Sequence, residues 1–161
     1  MINQLKYKNA ILYLIQKMDG KVLEGKKKIC KLLYFVDFGA FEKYGQPVTG
    51  EKYIRMPMGP MPSNFDKIIK VLEGSVLRIK KELKDSTHEY PTTIYELKKE
   101  ADADVFSKEE KEILDWVIEK YAKLTGKELE NISHSEAPWL AVKRNGEEIP
   151  YELSYYRGTS F

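Results

Sequence analysis

The amino-acid sequence predicts an α+β fold that is mostly helical, built as a single compact helical domain with a small antiparallel β-sheet of two to three strands. Apolar residues recur at helical spacing over several stretches of the 161-residue chain. Two short segments alternate apolar and polar residues, as strands do. No internal repeat, low-complexity tract or long linker divides the chain, so we expect residues 1–161 to form one domain.

The first two helices are predicted by apolar periodicity. Residues 5–18 carry apolar side chains every three or four positions, and Gly20 follows as a stop signal. A second helix is expected over about residues 26–43, with apolar side chains on more than one face, which is typical of a helix near the centre of a core. We expect the lysines at its start to cover its solvent-facing side. They are Lys26, Lys27, Lys28 and Lys31.

Prolines and glycines interrupt the helical pattern between residues 47 and 62. Residues 51–55 are typical of a short extended segment, and the turn-rich residues 56–62 follow it. Proline within a strand pattern indicates an edge strand or an irregular loop. Ser63 is then expected to cap a helix that runs to Glu73 and ends at Gly74.

Alternating residues 76–80 and 93–97 predict an antiparallel hairpin with a long connection through Asp85, Ser86 and Thr87. An isolated pair of strands is marginally stable in water. We therefore expect the hairpin to pack on helices or to gain the segment 51–55 as a third strand.

Capping residues predict the helices of the last third. Ser107 with Glu110, and Thr125 with Glu128, have the spacing of a capping box. The helices that follow are expected to end near residues 124 and 132. Ser135 is expected to cap a short helix over residues 136–143, with a proline tolerated in its first turn. A last helix is expected from residue 150 to 158.

Composition excludes several classes of protein. The longest apolar run has six residues, at 10–15, so we expect no membrane span and no secretory signal. The single cysteine, Cys30, excludes an intramolecular disulfide framework and favours the cytoplasm. With His88 and His134 as the only histidines, the chain has too few ligands for a usual structural zinc site.

The net charge of +2 hides an asymmetry. Residues 1–56 carry eleven Lys and Arg against five Asp and Glu, a net +6, while residues 57–161 carry sixteen against twenty, a net −4. A basic segment can attract nucleic acid or an acidic partner. Because no recognisable nucleic-acid-binding module accompanies it, we do not expect nucleic acid to be the partner.

No convergent set of catalytic groups is evident. Cys30 lies in an apolar helix, where a cysteine is most often a small hydrophobe. Ser133, His134 and Glu136 are sequence neighbours, which rarely form a triad. We expect His134 to pack or hydrogen-bond beside Trp139, and Trp139 to fill a core. Since no Gly-rich phosphate loop is present either, we expect a binding protein rather than an enzyme, with no cofactor and no bound metal.

Four pieces of sequence, taken in order, resemble the Panacea domain, the SocA-like antitoxin family that also contains phage-associated GepA-like proteins. They are KLLYFVD at residues 31–37, YGQPVTG at 44–50, Tyr53 with Gly59 and Pro60, and SHSEAPW at 133–139. The resemblance covers nearly the whole chain. We expect its signature residues to have structural roles. They are Lys31, Leu33, Tyr34, Asp37, Gly45, Pro47, Gly59, Pro60, His134, Pro138 and Trp139.

The resemblance implies an antitoxin of a two-gene toxin–antitoxin module, often carried by a prophage, that neutralises its cognate toxin by direct protein–protein binding. It implies no enzymatic activity and no cofactor. Two alternatives stay open: a proteolytic adaptor that delivers the toxin to a protease, and a DNA-binding prophage regulator.

We place the partner-binding surface on the irregular segment 53–61 and the adjoining helix ends. Loops held by a rigid scaffold often carry binding residues. Tyrosine and arginine are enriched among interface hot spots, and methionine adapts to irregular partners. The predicted contact residues are Tyr53, Arg55, Met58 and Met61. In the competing interpretation, Tyr53 and Met56 face inward and only fix the loop. The tyrosine-bearing last helix, around Tyr151, Tyr155 and Tyr156, is the second candidate surface.

Overall fold

A computed structural model describes residues 1–83 and 90–161. Six α-helices and five β-strands are present in these residues. The helices are α1 (Gln4–Gln16), α2 (Lys26–Tyr44), α3 (Phe65–Leu72), α4 (Lys108–Tyr121), α5 (Gly126–Ser135) and α6 (Ala137–Ala141). The strands are β1 (Val22–Glu24), β2 (Tyr53–Ile54), β3 (Met61–Pro62), β4 (Leu77–Glu82) and β5 (Thr92–Leu97). Three short 3₁₀ helices cover Asp19–Lys21, Ala103–Val105 and Tyr151–Tyr156.

The mostly helical α+β class is confirmed, and the strands form two small antiparallel sheets. The predicted hairpin is present as β4 and β5, and β5 also pairs with β1, in the order β1-β5-β4. The third strand is therefore Val22–Glu24 and not the segment 51–55. Within that segment, Tyr53–Ile54 pairs with Met61–Pro62 to form a separate sheet. The predicted connection through Asp85, Ser86 and Thr87 lies outside the described residues.

Helix α2 is the centre of the core, as its apolar pattern predicts. Every residue from 29 to 40 in α2 is buried. The helix contacts α1, α4, α5 and the three-stranded sheet, and the Tyr151–Tyr156 turn also packs on it. Cys30 is fully buried, and this burial raises the pKa of its thiol to about 12. The thiol is accordingly a small apolar group of the core.

The sequence predicts that the lysines at the start of α2 cover its solvent-facing side, but the structure shows a different arrangement. Lys31 is buried, with 2% of its surface exposed. The other three are half-buried and each has a partner. Lys26 pairs with Asp66, Lys27 pairs with Glu130, and Lys28 donates to the carbonyl of Ala122.

Two of the predicted helix caps are wrong, and two are confirmed. Helix α3 begins after Asn64, without a side-chain cap, and the hydroxyl of Ser63 instead donates to the carbonyl of Lys52. Ser135 belongs to α5, where its hydroxyl donates to the carbonyl of Ile132. The capping boxes that begin at Ser107 and at Thr125 are both present.

No α-helix in residues 1–83 and 90–161 is long and apolar enough to cross a membrane.

A buried carboxylate on α2 fixes the chain that leads into the candidate site. Asp37 is fully buried and accepts hydrogen bonds from the backbone N–H of Thr49 (2.7 Å), the hydroxyl of Thr49 (2.5 Å) and the hydroxyl of Tyr53 (2.8 Å). Burial raises the pKa of Asp37 to about 6, although the three donors oppose the shift. Asp37 therefore joins the central helix to Thr49 and to Tyr53, the first residue of the irregular segment 53–61.

The raised pKa of Asp37 predicts a specific pH dependence of stability. The folded protein binds the proton more tightly than the unfolded chain, so the contribution of Asp37 is fully present below pH 3.8 and is lost as the pH rises through 6. Between pH 7 and pH 5, the free energy of unfolding of the wild type should rise by about 1 kcal/mol relative to that of Asp37→Asn. Urea unfolding at several pH values measures this difference.

Asp104→Asn is the control, because the Asp104 side chain is 98% exposed. This variant should follow the wild type over the same pH range. If the difference between the wild type and Asp37→Asn stays constant from pH 5 to pH 7, Asp37 does not titrate in that range and the prediction is wrong.

Candidate partner-binding surface

Lys31 of α2 attaches the irregular segment to that helix through a buried hydrogen bond. The Lys31 Nζ atom donates to the carbonyl oxygen of Pro60 at 2.8 Å. Burial lowers the pKa of this ammonium group to about 8. Because a buried polar group without a partner is costly, the pairing holds Pro60 directly over the central helix.

Gly59 makes this close approach possible. Its φ is +96°, a left-handed conformation that favours glycine. A Cβ atom at this position would lie 2.7 Å from Cε of Lys31 and 2.8 Å from Oγ of Ser133. The Ser133 side chain is fully buried and donates to the carbonyl of Glu130, so it has little freedom to move away. Gly59 and Pro60, which belong to the family resemblance, thus form the side of the segment that faces α2.

Above this anchor, three side chains stack where the segment meets α6. The Trp139 ring lies 4.0 Å from the guanidinium carbon of Arg55 and 4.0 Å from the His134 ring, with 23° between the two ring planes. The Trp139 indole N–H donates to the carbonyl of Met56 at 3.2 Å. The expectation that His134 packs beside Trp139 is confirmed. Trp139 does not fill a core, however, because it is partly exposed and its role is to join α6 to the segment.

His134 is held in a site that disfavours its charged form. Burial lowers the pKa of its imidazole; Glu130 opposes the shift, while Lys31, Lys127 and Arg55 add to it. The neutral ring therefore stacks on Trp139 at neutral pH. Its Nε2 atom is buried and has no hydrogen-bond partner among the described residues.

The outer side of the site is apolar. Met58 is 59% exposed, Leu140 is 48% exposed and Met56 is 38% exposed. We refer to the following residues as the contact surface: Arg55, Met56, Met58, Trp139 and Leu140. The Trp139 hydrogen bond to Met56 and the Arg55 stack join the segment to α6. Met58 and Leu140 are included because they are exposed and lie close to these residues along the chain.

Two of the four predicted contact residues do not belong to this surface. Tyr53 is 1% exposed, and its hydroxyl donates a hydrogen bond to Asp37. The inward-facing interpretation therefore holds for Tyr53. Met61 is partly buried against the core in β3. Met56, which the competing interpretation turns inward, is exposed instead. Arg55 and Met58 are accessible, with Arg55 half-buried by its stack.

The other signature residues lie along α2 and at its junctions. Leu33 and Tyr34 are fully buried in α2, and Gly45 ends that helix in the left-handed conformation. Pro47 follows in the turn after α2, where it is half-buried, and Pro138 is buried at the start of α6. These residues lie in α2, in the chain that follows it and at the start of α6.

A buried ionic junction supports the start of α6, and sequence reasoning missed it. The Arg157 side chain is fully buried and pairs with Glu136 at 2.9 Å and with Glu42 at 3.2 Å. Glu136 also accepts a hydrogen bond from the Tyr34 hydroxyl at 2.8 Å. No local pattern marks these residues, because their partners lie far apart along the chain.

The second candidate surface is only partly accessible. Tyr155 is 55% exposed and Tyr156 is 75% exposed. Tyr151 is partly buried, and its hydroxyl donates to the carbonyl of Glu51. The last predicted helix is present as a 3₁₀ helix over Tyr151–Tyr156, and Tyr151 packs against the core.

Adding one methyl group at Gly59 should test the anchor. Gly59→Ala should lower the free energy of unfolding by about 2–4 kcal/mol, since it combines left-handed strain of about 1–2 kcal/mol with overpacking against Lys31 and Ser133. Gly74→Ala is the matched control, because its φ is +86° and no atom lies within 4 Å of its added Cβ. The control should lose about 1–2 kcal/mol, from strain alone. Equal losses in chemical denaturation would contradict the close approach at Gly59.

Comparison with known proteins agrees with the resemblance read from the sequence. Residues 29–140 match the family model described as antitoxin SocA-like, Panacea domain. The matched region runs from the first turn of α2 through the irregular segment to α6, so it contains the anchor, the stack and all five residues of the contact surface. No curated protein and no solved structure matches the chain. Because the family model covers more than two thirds of the sequence, the chain belongs to the SocA-like antitoxin family with a Panacea domain.

Proposed function

We propose that this protein is the antitoxin of a two-gene toxin–antitoxin module and that it neutralises its cognate toxin in the cytoplasm by direct protein–protein binding, without catalysis. Membership of the SocA-like antitoxin family is the observation that carries the proposal. The family description names the antitoxin role. Direct binding is the mode that we infer for this chain.

The contact surface supports binding as the mode of action. It combines an arginine and a tryptophan, which are enriched among the residues that dominate binding energy, with two exposed methionines. Methionine side chains adapt their shape to irregular partners. Beneath them, the Lys31 and Asp37 anchors keep the segment close to the central helix, so little backbone order has to be gained on binding.

Co-expression with the product of the adjacent gene tests the proposal. We expect that product to arrest growth when expressed alone, and this protein to restore growth and to co-purify with it. The half-life of the product should not shorten when this protein is present, since direct binding does not require proteolysis. If growth is not restored and no complex is recovered, the antitoxin function is wrong for this pair. If growth is restored only through loss of the product, the protein acts as a proteolytic adaptor instead.

A charge placed on the contact surface should weaken neutralisation. Met58→Asp puts a carboxylate on an exposed apolar position, where the partner would have to desolvate it. We expect the melting temperature to change by no more than a few degrees, because the side chain is 59% exposed, and binding to weaken about tenfold or more.

Val71→Asp is the matched control. Val71 is 58% exposed and lies in the last turn of α3, an element that contributes no residue to the contact surface. It should neutralise as well as the wild type. Full neutralisation by Met58→Asp at native expression levels would place the interface elsewhere, and the exposed tyrosines at residues 155 and 156 would be tested next.

A further inference from the structure

We propose that Arg55 receives a carboxylate from the partner and that the partner segment seated on the contact surface carries this acidic residue among apolar side chains. This inference rests on the proposed function, and it adds the chemistry of the segment that binds.

Arg55 differs from the other arginines in its lack of an acidic partner. All four arginines of the chain lie in the described residues. Arg78 pairs with Glu96 at 3.4 Å, Arg144 pairs with Glu147 at 4.0 Å, and Arg157 pairs with Glu42 and Glu136. No carboxylate of residues 1–83 or 90–161 forms an ion pair with Arg55. Its positive charge is therefore not balanced by a contact within the part of the chain that the structure describes.

The Arg55 side chain is nevertheless held in place. It stacks on Trp139, and its Nη1 donates to the Asn145 side-chain oxygen at 2.5 Å. Its backbone is held on both sides as well, because its N–H donates to Glu147 and its carbonyl accepts from Gly146. Its Nη2 donates to no atom of the described residues. A side chain that is already ordered loses less conformational entropy on binding, so this guanidinium is prepared for a planar acceptor.

The surroundings favour a carboxylate flanked by apolar groups. Met56, Met58 and Leu140 would cover apolar side chains of the partner and exclude water from the ion pair, which strengthens a charge-assisted hydrogen bond. The nearby Lys143 also lacks an acidic partner among the described residues, since its Nζ donates to the carbonyl of Leu140. The acidic residues that follow it are already paired, Glu147 with Arg144 and Glu148 with Lys52. The charge that complements this surface is therefore negative.

The test uses the full chain and the product of the adjacent gene, with binding measured by calorimetry at two salt concentrations. Arg55→Met removes the charge and the planar donors and keeps an apolar stem. We expect this variant to raise the Kd by about tenfold or more and to reduce the salt dependence of the Kd. Arg78→Met is the control, because Arg78 is an exposed arginine on β4, and it should bind within twofold of the wild type. Thermal melts of both variants check that the fold is retained.

A charge exchange identifies the acidic partner residue. In the Arg55→Glu background, each Asp and Glu of the gene product is changed in turn to Lys. We expect one such change to restore binding to Arg55→Glu and to weaken binding to the wild type.

Failure of this inference can be told apart from failure of the proposed function. If the wild type binds, and Arg55→Met binds within twofold of it while Met58→Asp does not bind, the contact is apolar only and the inference is overturned. The inference is also overturned if no exchanged acidic residue restores binding. A wild type that does not bind the gene product overturns both proposals.

Discussion

The complete burial of the middle of α2 is the constraint on which the rest of this structure depends. Residues 29–40 all lie in the interior, so polar side chains among them cannot turn to water. Lys31 and Asp37 must therefore find partners in the segments that cover the helix. Lys31 holds the carbonyl of Pro60, and Asp37 holds Thr49 and Tyr53. The irregular segment 53–61 is thus positioned by two polar residues of a mostly apolar helix.

This arrangement separates the residues that hold the surface from the residues that form it. The residues that hold the segment are buried, namely Lys31 and Asp37 in α2 and Ser133 in α5. Arg55, Met58 and Trp139 are at least partly exposed on its outer side. The start of α6, which carries Trp139, is itself fixed by Glu136 through Tyr34 and Arg157. The exposed methionines of the outer layer can change shape without a backbone change, because a thioether side chain is flexible.

The candidate site shows how far local patterns can be followed. The order of prolines, glycines and methionines in residues 47–62 correctly indicates an irregular segment next to a helix. It does not say which side chains point outward. Tyr53 and Arg55 are equally plausible contacts by residue type, yet Tyr53 faces inward because Asp37 lies opposite its hydroxyl. Likewise, a tryptophan in a short helix suggests a core position. Trp139 is instead partly exposed, where it stacks on Arg55 and His134 and donates a hydrogen bond to Met56.

The sequence by itself determined the features that depend on neighbours along the chain. These are the helical periods, the two capping boxes and the mostly helical class with its β4–β5 hairpin. Only the tertiary structure decided that Val22–Glu24 completes the three-stranded sheet, that Lys31 is buried, and that Arg157 pairs with Glu42 and Glu136. The physical reason is range. Propensity and capping act within a few residues, whereas strand pairing and buried ion pairs depend on groups that meet only after the chain has folded.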